Sequence, residues 1–124
     1  MKPYTIYDFH NDFPDERACL EWLKNQRYPD GIHCRNCNEI TNHYRITGQK
    51  SYCCQNCGNN VFPTSGTIFH KSSTLLKNWL YVAFLIIQSD GQISAKDIQR
   101  EINVTYKTAW RMRKLIREQL EAQS

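Results

Sequence analysis

Cys34-Arg35-Asn36-Cys37-Asn38 and Cys54-Gln55-Asn56-Cys57-Gly58 bracket sixteen residues, and the reading of this one stretch decides the fold. A CxxC pair forms a knuckle, a tight turn in which two thiolates converge on one ion while backbone N–H groups support the sulfurs. Two facing knuckles supply the tetrahedral four-thiolate shell that structural zinc prefers. Gly58 suits the positive-φ position that ends such a turn. Asn38, in the equivalent place after the first pair, is the next-best residue there. The competing readings are disulfides or a redox dithiol. A redox pair needs one CxxC at the start of a helix, not two pairs bracketing a hairpin. Four thiolates leave no open coordination position, so the expected ion is one structural zinc held by Cys34, Cys37, Cys54 and Cys57. Cys53 would give a spacer of three and points across the strand from Cys54, so it is expected to stand aside. His33 and His43 are not needed.

Between the pairs, His43–Ile46 and Ser51–Cys53 are expected to pair around Thr47-Gly48-Gln49-Lys50, with Gly48 available for the turn. Val61-Phe62-Pro63 adds a third short strand. About thirty residues of this kind bury too little to hold themselves together, which is why a metal staple is expected.

Upstream, the first ten residues read as an extended arm. Asp15 and Glu16 then start a helix bearing Cys19, Trp22 and Leu23 on an apolar stripe, with Cys19 a small buried hydrophobe. Tyr28-Pro29-Asp30-Gly31 stops it. Downstream, Thr64–Ser73 reads as a connector. Thr74 is placed to cap a central helix from Leu75 to Gln88, ended by Ser89-Asp90-Gly91. Its run from Trp79 to Ile87 is apolar all round, as in a buried helix. Ser94 caps a second helix with Ile98 and Ile102 inward. After a break at Asn103-Val104, a third helix runs from Thr105 to about Glu121.

The whole is an α+β chain. A small four-cysteine ribbon of short antiparallel strands is preceded by a helix and followed by a three-helix unit. The expected divisions are residues 1–31, an arm and helix packing on the ribbon, then 32–70, the ribbon, and 71–124, the helical unit.

At 124 residues the chain makes one compact domain or two very small ones. Residues 1–8 contain no apolar run of the kind that opens a secretion signal. The longest apolar stretch, Trp79–Ile87, is nine residues, and a membrane span needs about 20. A cytoplasmic protein with no membrane partner is expected. The net charge of +4 is uneven, with seven Lys/Arg against seven Asp/Glu in residues 1–62 and nine against five in residues 63–124. Within residues 105–117 there are five basic residues and no acidic one, which suggests a polyanion.

The last two helices follow the helix-turn-helix plan, in which the second helix inserts its first turns into the major groove. Val104, Ala109, Met112 and Ile116 pack inward. Thr105, Tyr106, Lys107, Thr108, Arg111 and Lys114 are then the candidate DNA contacts. Lys107, Arg111 and Lys114, at i, i+4 and i+7, make one basic face suited to guanine edges and phosphates. Trp110 has two readings, as a contact or as core.

These residues resemble the N-terminal region of bacterial insertion-sequence transposases that carry a zinc ribbon and a helix-turn-helix ahead of a DDE-type catalytic domain. Four stretches hold the likeness: Phe13-Pro14-Asp15 through Trp22-Leu23; Tyr28-Pro29-Asp30-Gly31 into Cys34; Cys54 through Gly58 into Thr64-Ser65-Gly66-Thr67-Ile68-Phe69; and Val104 through Met112. It covers about Asp12 to Leu120. The resemblance implies recognition of transposon-end duplex DNA, at the nucleoid in a bacterium. The chain ends where the family's catalytic domain would begin. Asp90 and Asp97 lie in or beside helices rather than on a sheet, so no enzymatic activity is expected. A partner protein, either a transposase or a regulator docking on the ribbon, is the alternative role.

Overall fold

In the computed structural model of the protein, residues 4–70 and 74–122 are described. Positions 1–3 of the expected arm, 71–73 of the connector and 123–124 fall outside them. The chain divides into two compact units, residues 17–71 and residues 1–16 with 72–124.

The first unit is the ribbon with its helix. Helix α2, Glu16–Arg27, buries Cys19, Leu20 and Leu23 and ends just before Tyr28-Pro29, as the proline requires. Gly31 follows at φ +105°, where a Cβ would stand 2.9 Å from Ile40 Cγ2, so this turn needs glycine twice over. Strands β1 (Ile32–Cys34) and β2 (Glu39–Thr41) pair antiparallel, Cys34 opposite Glu39. Strands β3 (His43–Arg45), β4 (Tyr52–Cys54) and β5 (Asn60–Val61) form a second antiparallel sheet in that order, His43 opposite Cys54. The expected hairpin through Gly48 is present, and the third strand lies one residue earlier than expected. The β1–β2 hairpin is additional.

Helix α2 is fastened to the ribbon by polar contacts. Tyr52 donates its hydroxyl to Glu21 Oε2 at 2.8 Å, and Lys24 lies 5.1 Å from the centre of the Tyr52 ring. Arg27 donates to the Pro63 and Ser65 carbonyls at 2.7 and 2.8 Å. It thereby ties down the connector, which is a run of turns through His70.

In the second unit the opening residues are not an extended arm. Thr5 and Asp8 make a reciprocal capping box that starts helix α1, Ile6–Asp12. Phe9, 2% exposed, packs against Phe13, Tyr81 and Phe84 with ring centres 5.2–5.4 Å apart. Burying that ring contributes about 2–3 kcal/mol, more than the extended alternative offers. The expected grouping of residues 1–31 with the ribbon therefore divides at Glu16. Helix α1 lies on α3, while α2 stays with the strands.

Helix α3, Leu76–Gln88, buries Leu76, Trp79, Val82 and Ile86 on one stripe. Its apolar residues are not covered all round, since Ile87 is 63% exposed. Thr74 is not its cap. The cap residue is Leu75, without a side-chain bond, and the carboxylate of Glu16 accepts from Leu76 and Lys77 N–H at 2.7 and 2.6 Å. A carboxylate there satisfies two orphan donors and opposes the positive end of the helix dipole. Glu16→Ala is expected to cost about 1–2 kcal/mol, as loss of a good cap does. Urea unfolding followed by the emission of buried Trp79 should show the shift; an unmoved midpoint would mean that Glu16 contributes nothing as a cap.

Helix α4, Ala95–Ile102, starts from the expected Ser94 cap, completed by Asp97 into a capping box, and ends at Asn103 in the left-handed region. Helix α5, Tyr106–Ala122, turns Ala109, Met112 and Ile116 into the core.

Candidate metal centre and nucleic-acid interface

The two CxxC pairs occupy equivalent places in the ribbon. Cys34 ends β1 and Cys37 lies in the turn to β2, while Cys54 ends β4 and Cys57 lies in the turn to β5. Each turn closes the same way, with Asn38 N–H donating to the Cys34 carbonyl at 2.8 Å and Gly58 N–H to the Cys54 carbonyl at 2.9 Å. Asn38 and Gly58 both hold positive φ, +56° and +80°, as the spacing had required of them.

The four sulfurs lie within 4.8 Å of one another. Cys34 and Cys57 Sγ are 3.4 Å apart, and Cys37 and Cys54 Sγ 3.9 Å. A zinc ion with Zn–S bonds of about 2.3 Å sets tetrahedral edges of about 3.8 Å, so the donor set fits the ion. The four cysteines are positioned to bind one zinc.

The surroundings of Cys54 support thiolate. The hydroxyl of Thr41, 3.1 Å from Cys54 Sγ, and then the Cys57 and Asn56 N–H groups hold the Cys54 thiol down at about 6. Burial and the neighbouring thiols push Cys37 up to about 12. Four thiols this close cannot all ionise unless a cation joins them. Thr41 was not legible as a supporting residue, because only the unforeseen β1–β2 pairing brings it to the site.

The residues expected to stand aside do so. Cys53 is buried, with Sγ 3.7 Å from the Cys54 carbonyl. His33 is exposed on β1. His43 Nδ1 lies 3.0 Å from the Thr41 carbonyl. Neither His33 nor His43 joins the cluster of four.

The second candidate set lies at the start of α5. Thr105 caps the helix, its Oγ1 accepting from Thr108 N–H at 3.2 Å and its hydroxyl donating to Thr108 Oγ1 at 2.9 Å. Thr108 is accordingly half-buried, while Tyr106, Lys107, Arg111 and Lys114 are exposed. Trp110 is 51% exposed, so it is not core. Arg113 leaves the basic face: its Nε donates to the Ile93 carbonyl at 2.7 Å and a terminal nitrogen to Gly91 at 3.4 Å. Arg117, one of the five basic residues of 105–117 but not among the candidate contacts, is exposed one turn beyond Arg113.

The unit boundaries redistribute the charge. Residues 17–71 hold seven Lys/Arg against three Asp/Glu, while residues 1–16 with 72–124 hold nine of each. The positive excess therefore belongs to the ribbon unit, because the acids around α1 join the helical one. The basic character of α5 is local to its face.

Among known families, the model of the transposase zinc-ribbon domain matches residues 14–60. An uncharacterized protein in transposable element ISH50 of Halobacterium salinarum is 27% identical over 103 residues, 80% of this chain and 34% of that protein. The chain thus spans about a third of the length of the curated relative it matches. No solved structure matches. No helix among the described residues is long and apolar enough to cross a membrane.

Proposed function

We propose that this chain, in which residues 14–60 form a transposase-type zinc ribbon, binds duplex DNA through a helix-turn-helix made by α4 and α5. The observation that carries the reading is the first three turns of α5. They present Tyr106, Lys107, Arg111 and Lys114 to solvent while Ala109, Met112 and Ile116 anchor the opposite face. The left-handed Asn103 ends α4 three residues before α5 begins, the tight connection that the motif uses. In this role Lys107 and Arg111 meet base edges and phosphate near the helix start, and Lys114 meets phosphate. Thr105 fixes the first turn rather than reading DNA itself. The natural target is transposon-end-like sequence, in keeping with the relative's place in a transposable element. On this reading the chain works at the nucleoid, in the cytoplasm of its host.

The ribbon's zinc is structural, since a shell closed by four thiolates has no position for substrate or water. We read the chain as a binding protein without catalysis of its own. Asp97 serves the α4 capping box, and Asp90 sits at φ +54° in the turn that ends α3. Purified chain with magnesium and duplex DNA is expected to give no cleavage; cleavage lost on changing Asp90 or Asp97 would sink this part of the reading. A protein partner is a second reading for the ribbon, favoured by the exposure of Ile40, Tyr44 and Phe62.

Fluorescence anisotropy with a labelled random-sequence duplex tests the main reading. Binding that weakens steeply with added salt is expected, because neutralised phosphates release counterions. Selection from a random duplex pool then gives the site. Absence of duplex binding even at low salt would transfer the function to the protein-partner reading.

A further inference from the structure

Trp110 is a side chain that the packing of α5 leaves without a task. The helix core is filled by Ala109, Met112 and Ile116. Trp110 and Tyr106, one turn apart, are each 51% exposed. At 100° per residue, Trp110 lies on the side of Lys107, Lys114 and Arg117, opposite the buried stripe. Tryptophan is only a middling helix former, so local propensity does not call for it there. Half an indole in water also forgoes much of the ring's burial energy. Lys114 Nζ stands 5.4 Å from the ring centre, which places a cation beside the exposed aromatic surface.

We infer that Trp110 is itself a DNA-contacting residue, its exposed indole packing against deoxyribose or a thymine methyl at the groove edge beside the phosphate that Lys114 meets. The inference rests on the proposed reading of α5 as the DNA-binding helix. The occupant is a B-form duplex. The basic face complements phosphate, and the B-form major groove admits a helix while the deep, narrow A-form groove of duplex RNA does not.

The test pairs two measurements on the full zinc-loaded chain, titrated with a labelled random-sequence DNA duplex. Anisotropy reports binding and tryptophan emission reports contact. Trp79, 1% exposed, and Trp22, 39% exposed on α2, supply the remaining emission; Trp110→Phe keeps both and isolates the Trp110 signal by difference from wild type. Emission should change in step with anisotropy in wild type and not in Trp110→Phe. Trp110→Ala should weaken binding about tenfold, the loss of one aromatic contact to nucleic acid, and Trp110→Phe should weaken it less. Unchanged circular dichroism would confirm that the variants fold. If Trp110→Ala binds like wild type and wild-type emission is unmoved by DNA, the inference is overturned while DNA binding by α5 stands. Equal affinity and equal emission change with a duplex RNA of the same sequence would overturn the groove assignment. No binding by the wild-type chain would remove the parent reading and this inference together.

Discussion

Cys54→Ser is expected to abolish zinc binding and unfold the ribbon, while Cys53→Ser, one residue away, leaves both intact. Apparent zinc binding energies in small four-ligand sites are about 10–16 kcal/mol, against a total stability for small domains of about 5–15 kcal/mol. The burial available to the strands does not replace such a term. Ile32, Tyr52 and the cysteines themselves supply most of the ribbon's buried apolar residues outside α2. Cys34→Ser, Cys37→Ser and Cys57→Ser should behave as Cys54→Ser does. Native mass spectrometry gives the zinc count, and amide NMR shows whether residues 32–63 stay folded. One zinc retained by Cys54→Ser would overturn the ligand assignment, and zinc lost from Cys53→Ser would put the spacer of three back in play. Acid should act as the mutations do. Each bound sulfur must be thiolate, so lowering the pH puts protons in competition with zinc, and affinity falls steeply because several protons enter for each ion released. Raising the pH in the presence of zinc should restore the fold.

The ligands, the positive-φ residues after each pair, the hairpin through Gly48 and the Ser94 cap depend on neighbours within a few positions, where spacing and residue chemistry are explicit. The β1–β2 pairing was less visible because Glu39-Ile40-Thr41 is short and has no turn signal except the CxxC itself. The knuckle is that hairpin's turn. Glu16 as the cap of α3 depends on a contact between residues sixty positions apart, and local sequence favoured the adjacent Thr74. Helix α1 is instructive because its capping box, Thr5 with Asp8, was present in the sequence. The first ten residues read as an extended arm, and the aromatic partners of Phe9 on α3 decide otherwise. Charge counted by halves of the chain misplaced the positive excess, since folding assigns the acids at the start to the helical unit. Trp110 has two readings because an indole serves equally well as a core residue or as a contact to a partner.

Lys107→Ala, Arg111→Ala and Lys114→Ala should each weaken duplex binding, but in different ways. Log affinity falls with log salt at about −0.9 per phosphate neutralised, so a cation that meets only phosphate affects all sequences alike. Lys114 is the furthest of the three from the helix start, and its loss should flatten the salt slope by about one unit with little change in sequence preference. Lys107 and Arg111 lie in the first two turns, where side chains reach base edges; losing either should relax preference by about 1–3 kcal/mol at one position of the selected site. Arg113→Ala should differ from all three. Its guanidinium is committed to the Ile93 and Gly91 carbonyls, so it should lower stability and leave the salt slope unchanged. Among the lysines of the ribbon unit, Lys24 does not serve as a control, because it bonds Glu21 at 3.3 Å and covers Tyr52. Lys50, exposed in the turn between β3 and β4, is the better one, and Lys50→Ala should bind as wild type does. These measurements separate a reading helix from a bundle helix with a solvated basic face. If the three α5 variants match wild type in affinity and slope while Lys50→Ala loses both, the polyanion contact belongs to the ribbon unit, where the net positive charge resides.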